Sequence, residues 1–448
     1  MEQPKENKMG TMPVNKLLVT MSLPMVISMI VQALYNIVDS IFVSRLSEDA
    51  LTAVSMAFPM QNLMISVAVG TGVGINAMLS RALGEKKFEA ANKTAENGIF
   101  IEVLGYVLFL LIGIFVTKPF FLAQAGAGDI ANMGIEYTRI CLLMSFGIFM
   151  QIGFERILQS TGRTIFTMIT QSTGAIINII LDFVFILTFK MGVAGAAIAT
   201  VTGQICAAIL AITFNLTKNP DVHISFKGFK PQIIFVKNIL SVGIPSIIMS
   251  SVGSAMTFGM NKILITFSST AVAVFGVYFK LNSFVFMPVF GLNNGMVPIV
   301  SYNYGAQNKK RLTKTIKLAI MYAVCIMFIG IMLFQFIPDV LLRLFDASDH
   351  MLEIGIPALR VISLSFAFAG ICIVISSSLQ ALGHGFLSMM ISITRQLIIL
   401  LPSAYILAKF GGIHAVWWSF NIAEIASLTL SLLFFKHMYN KIIKHLGE

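Results

Sequence analysis

Charged residues are scarce in this sequence: they make up 11% of its 448 residues, whereas soluble domains carry about a quarter. Hydrophobic residues account for 57%, and the mean hydropathy is +0.86. Apolar stretches of about twenty residues, long enough to cross a bilayer as a helix, recur along the whole chain. The scarcity of charge therefore excludes an ordinary soluble domain and predicts a membrane protein.

Catalytic and nucleotide-binding motifs are missing as well. The sequence contains no His-Glu-x-x-His, no Gly-x-Ser-x-Gly and no Walker A loop. Its four cysteines fall in apolar stretches without metal-ligand spacing, and we interpret them as packing residues: Cys141, Cys206, Cys325 and Cys372. We therefore expect neither an enzyme nor a cofactor, and any transport must draw on an ion gradient.

Twelve apolar segments fill the chain and leave no long soluble domain. They predict helices at residues 17–43, 51–80, 94–117, 133–158, 164–188, 192–215, 234–262, 270–301, 314–338, 353–379, 386–408 and 412–436. The first segment is too long for a cleaved signal peptide and does not end in a small-residue cleavage site. The fold class is thus an all-α integral membrane protein with twelve transmembrane helices.

The net charge of +11 reflects membrane topology rather than a nucleic-acid partner. Lys and Arg concentrate in the segments on one side of the predicted membrane, while the other side holds only Arg45, Lys118, Lys190, Lys262, Arg343 and Lys409. The positive-inside rule places both termini in the cytoplasm. We expect a multi-pass protein of the plasma (inner) membrane, monomeric and surrounded by lipid.

The sequence contains an internal repeat. A shift of 221 residues aligns Pro24 with Pro245, Gly70 with Gly291, Gly74 with Gly295, Ser80 with Ser301, Arg139 with Arg360 and Gly162 with Gly383, and one residue slips before Gly192 meets Gly412. Each copy holds six helices, so the copies are parallel repeats. This predicts lobes at 1–215 and 234–448, joined by a cytoplasmic linker at 216–233. Two such lobes suit alternating access, although a channel or membrane enzyme can share the scaffold.

The two copies differ in their buried acids. The first copy carries Asp39, Asn178 and Asp182, whose repeat mates are Met260, Ile399 and Ser403. At about 1.5 Å per residue, Asp39, Asp182, Thr200 and Asn178 lie roughly 6, 9, 12 and 15 Å from the outer helix ends, in one layer. Tyr35 and Asn36 precede Asp39 by one helical turn.

Paired carboxylates in a membrane favour a shared proton or a bound cation. Carboxylate, amide and hydroxyl oxygens suit a hard cation such as Na⁺. The alternative is that Asp39 only caps or hydrogen-bonds near a helix end.

Other buried charges suggest structural pairs, namely Glu136 with Arg139 and Arg395 with Glu424, whereas Glu155 and Arg156 lie where long side chains reach the cytoplasm. Lys280 lacks an evident partner in the sequence.

Several motifs spread over nearly the whole chain resemble the multidrug and toxic compound extrusion (MATE) family. They are Ser22-Leu23-Pro24, Tyr35-Asn36-Ile37-Val38-Asp39, Ser80-Arg81-Ala82-Leu83-Gly84, Leu158-Gln159-Ser160-Thr161-Gly162, Asn178-Ile179-Ile180-Leu181-Asp182, Gly195-Ala196-Ala197-Ile198-Ala199-Thr200 and Ser301-Tyr302-Asn303-Tyr304-Gly305. One MATE branch has acidic cation-site residues in helices 7 and 10, where this chain has only Glu353 at a helix mouth. The chain is more similar to the DinF/MepA-type branch.

This resemblance implies that Asp39, Asn178, Asp182 and Thr200 form the cation or proton site, with Tyr35, Asn36 and Tyr137 beside it. It implies antiport, in which Na⁺ or H⁺ enters while an amphipathic, cationic drug-like compound leaves. A lipid-linked-sugar flippase of the same superfamily is the alternative. Such a flippase needs several cations in its cavity, and the predicted spans offer few candidates, among them Arg139, Lys280, Arg360 and Arg395.

Overall fold

The structure, a computed structural model, describes residues 7–345 and 347–447. Within these residues, twelve helical segments follow the predicted spans in order. They are α1 (Val14–Ser44), α2 (Glu48–Gly84), α3 (Phe88–Phe115), α4 (Asp129–Leu143 and Phe146–Ser160), α5 (Thr164–Asp182, continued by Phe183–Thr188), α6 (Gly192–Lys218), α7 (Ile233–Leu264), α8 (Ser269–Gly305), α9 (Lys309–Phe336), α10 (Asp349–Ser363 and Phe366–Ala381), α11 (Gly385–Ile393, Thr394–Leu400 and Leu401–Val416) and α12 (Trp418–Lys441).

The helices have the length and apolar character that a bilayer requires. Ten of them can cross a membrane individually, and α4 and α10 can do so when their two pieces are taken as one span. Large apolar side chains such as Phe115 and Phe410 are exposed, as expected for side chains that face lipid. The predicted all-α membrane fold is confirmed.

The fourth and tenth spans are each broken into two helical pieces. The two pieces of α4 meet at an angle of 44°, and those of α10 at 49°. A serine, Ser145 or Ser365, precedes the second piece in each case. The Ser365 hydroxyl donates to the Ile362 carbonyl at 2.7 Å, a local bond that competes with the helical ladder and bends helices.

Local details recur at the spacing of the sequence repeat. Ser47 caps α2 by accepting from Ala50 N, and Ser268 caps α8 by accepting from Ala271 N. Tertiary bonds recur as well: the Ser80 hydroxyl donates to the Ser160 carbonyl at 3.0 Å, and that of Ser301 donates to the Ala381 carbonyl at 2.8 Å. Residues with positive φ also correspond: Lys86 with Gln307, Gly162 with Gly383, and Gly192 with Gly412.

Packing divides the chain into two compact units whose limits cut through two helices. The first unit contains residues 7–11 and 27–247, and the second contains 12–26 and 248–447. The start of α7 therefore packs within the first unit, and the start of α1 within the second. The predicted lobe boundaries, at 215 and 234, describe the sequence repeat and stay a prediction.

Glycines allow these helix starts to pack closely. A Cβ on Gly74 of α2 would lie 2.2 Å from the carbonyl oxygen of Ile239 in α7. In the second unit, a Cβ on Gly295 of α8 would lie 2.6 Å from the Cα of Ser22 in α1. Both distances are shorter than van der Waals contact, so only glycine fits without a shift of the backbone.

The second unit contains an internal ion pair. Arg395 Nη1 of α11 lies 2.6 Å from Glu424 Oε1 of α12, which confirms the pairing expected from their similar depth.

The interpretation of Glu155 and Arg156 as side chains that reach the cytoplasm is wrong, because both are buried, with exposed fractions of 1% and 8%. Lys280 is exposed, and its Nζ lies 5.8 Å from the centroid of the Phe345 ring.

We expect Glu424→Leu to lower the stability of the protein by about 3 kcal/mol, because it leaves the Arg395 guanidinium without its carboxylate partner. Thermal unfolding in detergent measures the loss, with exposed Glu353→Gln as a control. The double variant Arg395→Met/Glu424→Leu should recover most of the stability. A double variant as unstable as the single one would contradict an effect of the stranded charge.

Candidate functional site

Three polar residues of the site come from the second half of α1. This helix consists mainly of Leu, Ile, Val and Met, and in that apolar sequence Tyr35, Asn36 and Asp39 stand close to its end at Ser44. Tyr35 and Asp39 are four residues apart and therefore share a face of the helix. Asp39 is half-buried, whereas Asn36 is exposed and its backbone carbonyl accepts a bond from the Ser40 hydroxyl.

Helix α5 contributes the most deeply buried acid. Asp182 has an exposed fraction of 0%, and Asn178, one turn earlier on the same face, is also buried. Asp182 is the last α-helical residue before a π-helical segment, Phe183–Thr188. π-Helical segments are rare and are frequent at functional sites, because the wider turn redirects side chains at the break.

A close approach of α5 and α6 brings Asn178 to Thr200. A Cβ on Gly203 of α6 would lie 2.6 Å from the carbonyl oxygen of Gly174 in α5, so the two backbones nearly touch. One turn further on, Asn178 Nδ2 donates to Thr200 Oγ1 at 3.1 Å. This bond connects α5 to α6.

The two carboxyl groups face each other across α1 and α5. Asp39 and Asp182 lie within hydrogen-bonding reach of one another, yet neither can donate unless it carries a proton. Among the residues that the structure describes, Asp39 Oδ1, Asn178 Oδ1 and both carboxylate oxygens of Asp182 are buried without a hydrogen-bond partner. Buried polar atoms are nearly always paired, so four unpartnered oxygens in one layer indicate a place for a positively charged partner.

Tyr137 lies beside this layer and is held by a residue that the sequence analysis missed. Gln61 Nε2 of α2 donates to the Tyr137 hydroxyl at 3.2 Å and lies 3.6 Å from Cys141 Sγ. Tyr137 and Cys141 are both buried and belong to the same core cluster. Gln61 has a polar repeat mate, Asn282, so comparison of the two copies could not single it out. The presence of an amide side chain inside an apolar span was the feature of the sequence that could have identified Gln61 as a site residue.

The arrangement suits a proton or a hard monovalent cation. Asp39, Asn178, Asp182 and Thr200, which we predicted to share one layer, do lie together in the first unit. They present oxygen atoms only, the ligand type of hard cations. Between two carboxyl groups a cation or proton removes the repulsion that would arise if both were ionised. Asn36 is the predicted residue that the contacts of this cluster do not include.

Comparisons with known proteins identify the family of this chain. The MatE family model matches residues 24–184 and again residues 245–406, which are the two copies of the repeat. The multidrug export protein MepA of Staphylococcus aureus (strain MSSA476) is 28% identical over 418 residues, covering 92% of this chain and 91% of MepA.

Two solved structures have the same fold. One is a multidrug resistance MATE family transporter of the MOP superfamily in an outward-facing conformation, with a TM-score of 0.92, 26% identity and coverage of 99% and 100% of the two chains. The other is a MOP superfamily transporter from Pyrococcus furiosus Vc1 (DSM3638), described as having a binding pocket of reverse polarity, with a TM-score of 0.92, 26% identity and full coverage. The chain therefore belongs to the MATE family of multi-pass membrane transporters, the family of the multidrug export proteins.

Proposed function

We propose that this protein is a cation-coupled antiporter that exports amphipathic, cationic, drug-like compounds by alternating access. The observation that carries the proposal is the buried layer of unpartnered oxygens on Asp39, Asn178 and Asp182, with Thr200 at its edge. A transporter without a nucleotide-binding motif needs an ion gradient, and this layer is where the coupling ion, H⁺ or Na⁺, would bind.

Helix α1 can convert ion binding into movement. A cation or proton between Asp39 and Asp182 would draw the end of α1 towards α5, because it replaces repulsion by attraction. Pro24 lies inside α1 and removes one backbone hydrogen bond, so the helix has a natural place to bend. The ion favours one packing of α1, and the substrate favours the other, which couples the two fluxes.

The alternative of a lipid-linked-sugar flippase has less support. It requires free cations to hold a pyrophosphate group. Within the second unit, Arg395 is paired with Glu424, and Arg360 Nε donates to the Gln335 carbonyl at 3.2 Å. Resistance profiling with cationic drugs, compared with accumulation of lipid-linked intermediates in a deletion strain, separates the two functions.

An imposed gradient should drive ethidium transport by the purified protein in proteoliposomes. A higher concentration of H⁺ or Na⁺ outside than inside should accelerate ethidium efflux, because the ion reaches the acidic layer from the outer face. Ethidium fluorescence under each gradient separately identifies the coupling ion. Equal rates with and without both gradients would rule out cation-coupled antiport, and empty liposomes control for leakage.

A further inference from the structure

A second set of buried charges lies in the first unit, apart from the Asp39–Asp182 layer. It consists of Glu102 in α3 and Glu155 and Arg156 in the second piece of α4, and Glu102 has an exposed fraction of 0%. Two acids and one guanidinium leave a net negative charge if both acids are ionised. An uncompensated charge inside a membrane protein is unfavourable, so one of the two acids needs a proton.

Glu155 is surrounded by hydrogen-bond donors. Its Oε1 accepts from Thr170 Oγ1 at 2.7 Å and from Gln151 Nε2 at 3.1 Å, and its Oε2 accepts from Gln171 Nε2 at 2.7 Å. The Thr170 hydroxyl also lies 2.8 Å from the Thr167 carbonyl, but the two glutamine amides donate to Glu155 in either case, and such donors favour the ionised form of a carboxyl group. Glu155 and the adjacent Arg156 therefore form the charged part of the cluster.

Glu102 has the opposite environment. Its Oε2 is buried and has no hydrogen-bond partner within residues 7–345 and 347–447, and its Oε1 lies 2.6 Å from the Thr71 hydroxyl. That hydroxyl has a single proton and also lies 2.9 Å from the Val67 carbonyl and 3.0 Å from the Ala68 carbonyl. When the Thr71 hydroxyl donates to a carbonyl of its own helix, it can only accept from Glu102. A hydrogen bond between the two side chains then requires that Glu102 is protonated and donates to Thr71.

The acids of this cluster, like those of the outer layer, occur in one copy of the repeat. The repeat mates of Glu102, Glu155 and Arg156 are Ala323, Ser376 and Ser377. The shared architecture of the two copies therefore does not require these charges.

We infer that Glu102 is a second proton-binding site, whose proton is exchanged during the transport cycle. Glu102 lies 14 residues after Phe88, about 21 Å along α3, and Glu155 lies five residues before Ser160, about 8 Å from the inner end of α4. These lengths run from two different helix ends, and a Cβ on Gly153 of α4 would lie 3.0 Å from Glu102 Cγ, so Glu102 lies beside the turn of α4 that carries Glu155. Among the described residues, the charged group that acts on Glu102 is Arg156 of α4, which also acts on Glu155, while α2 supplies Thr71.

Infrared spectroscopy of purified protein tests for the proton directly, whether or not the protein transports. A buried carboxylic acid has a carbonyl stretching band distinct from that of a carboxylate. In the Asp39→Asn/Asp182→Asn background we expect this band to persist, to shift in D₂O and to disappear when Glu102→Gln is added. Glu89→Gln, at an exposed acid of the same helix, should leave it unchanged. Absence of a band assigned to Glu102 would overturn the inference.

Transport stoichiometry tests for exchange of the proton. The inference extends the proposed antiport, so the two must be able to fail separately. In proteoliposomes, Glu102→Gln should lower the number of protons moved per ethidium by one relative to wild type, while thermal stability stays unchanged because glutamine mimics the protonated acid. An unchanged ratio would show a static proton and overturn the inference. Failure of wild-type protein to couple ethidium to either gradient would instead overturn the proposed function.

Discussion

Replacing Asp39 or Asp182 with asparagine is expected to reduce ethidium efflux to the rate of empty liposomes, while the protein still inserts and folds. Asparagine keeps the size and one oxygen of the side chain but can neither bind a proton nor offer a charge to a cation. The folded protein should be as stable as wild type or slightly more stable, because one of two facing carboxyl groups is gone. Accumulation assays in cells and thermal unfolding in detergent measure the two effects.

The control for this pair of variants is Glu136→Gln. Glu136 is an exposed acid that immediately precedes Tyr137 on α4, so its replacement changes charge near the site without changing the layer. We expect it to transport as wild type does. Full transport by both aspartate variants would show that the coupling ion binds elsewhere, whereas loss of folding would show that the acids are structural.

Gly295→Ala is expected to cause a clear loss of folded protein. The added Cβ would lie 2.6 Å from the Cα and 2.7 Å from the backbone N of Ser22, so the start of α1 must move away. That movement also lengthens the bond from the Ser22 hydroxyl to the Leu292 carbonyl, now 3.1 Å. Overpacking of this kind costs about 1–3 kcal/mol or more when backbone must shift.

The matched control lies in the same helix. A Cβ on Gly276 meets nothing within 4 Å, so Gly276→Ala should be neutral or stabilise the protein by about 0.5–1 kcal/mol through helix propensity. Thermal unfolding and the monodisperse fraction in gel filtration measure both variants. If Gly295→Ala is as stable as Gly276→Ala, the close packing of α8 on the start of α1 does not contribute to the folded state.

The residues of the candidate site were predictable because they break a symmetry. Asp39, Asn178 and Asp182 stand out against apolar or hydroxyl repeat mates, and their distances from helix ends place them in one layer before any contact is known. Gln61 escaped this comparison because its repeat mate is also polar. Glu155 was predicted to reach the cytoplasm from the end of its helix, but Thr170 and Gln171 of α5 cover it.

The sequence by itself determined the twelve spans, their duplication and the acidic layer in one copy. Hydropathy, the register of the repeat and the charged residues inside apolar segments all follow directly from the order of the amino acids. Only the tertiary structure decided where α4 and α10 break, that the starts of α1 and α7 pack in different units from their ends, and how Glu102 lies against Thr71. These features depend on backbones that approach where glycine allows it, and on donors supplied by helices distant in sequence. The few charged residues that the chain keeps within its spans owe their chemistry to these contacts.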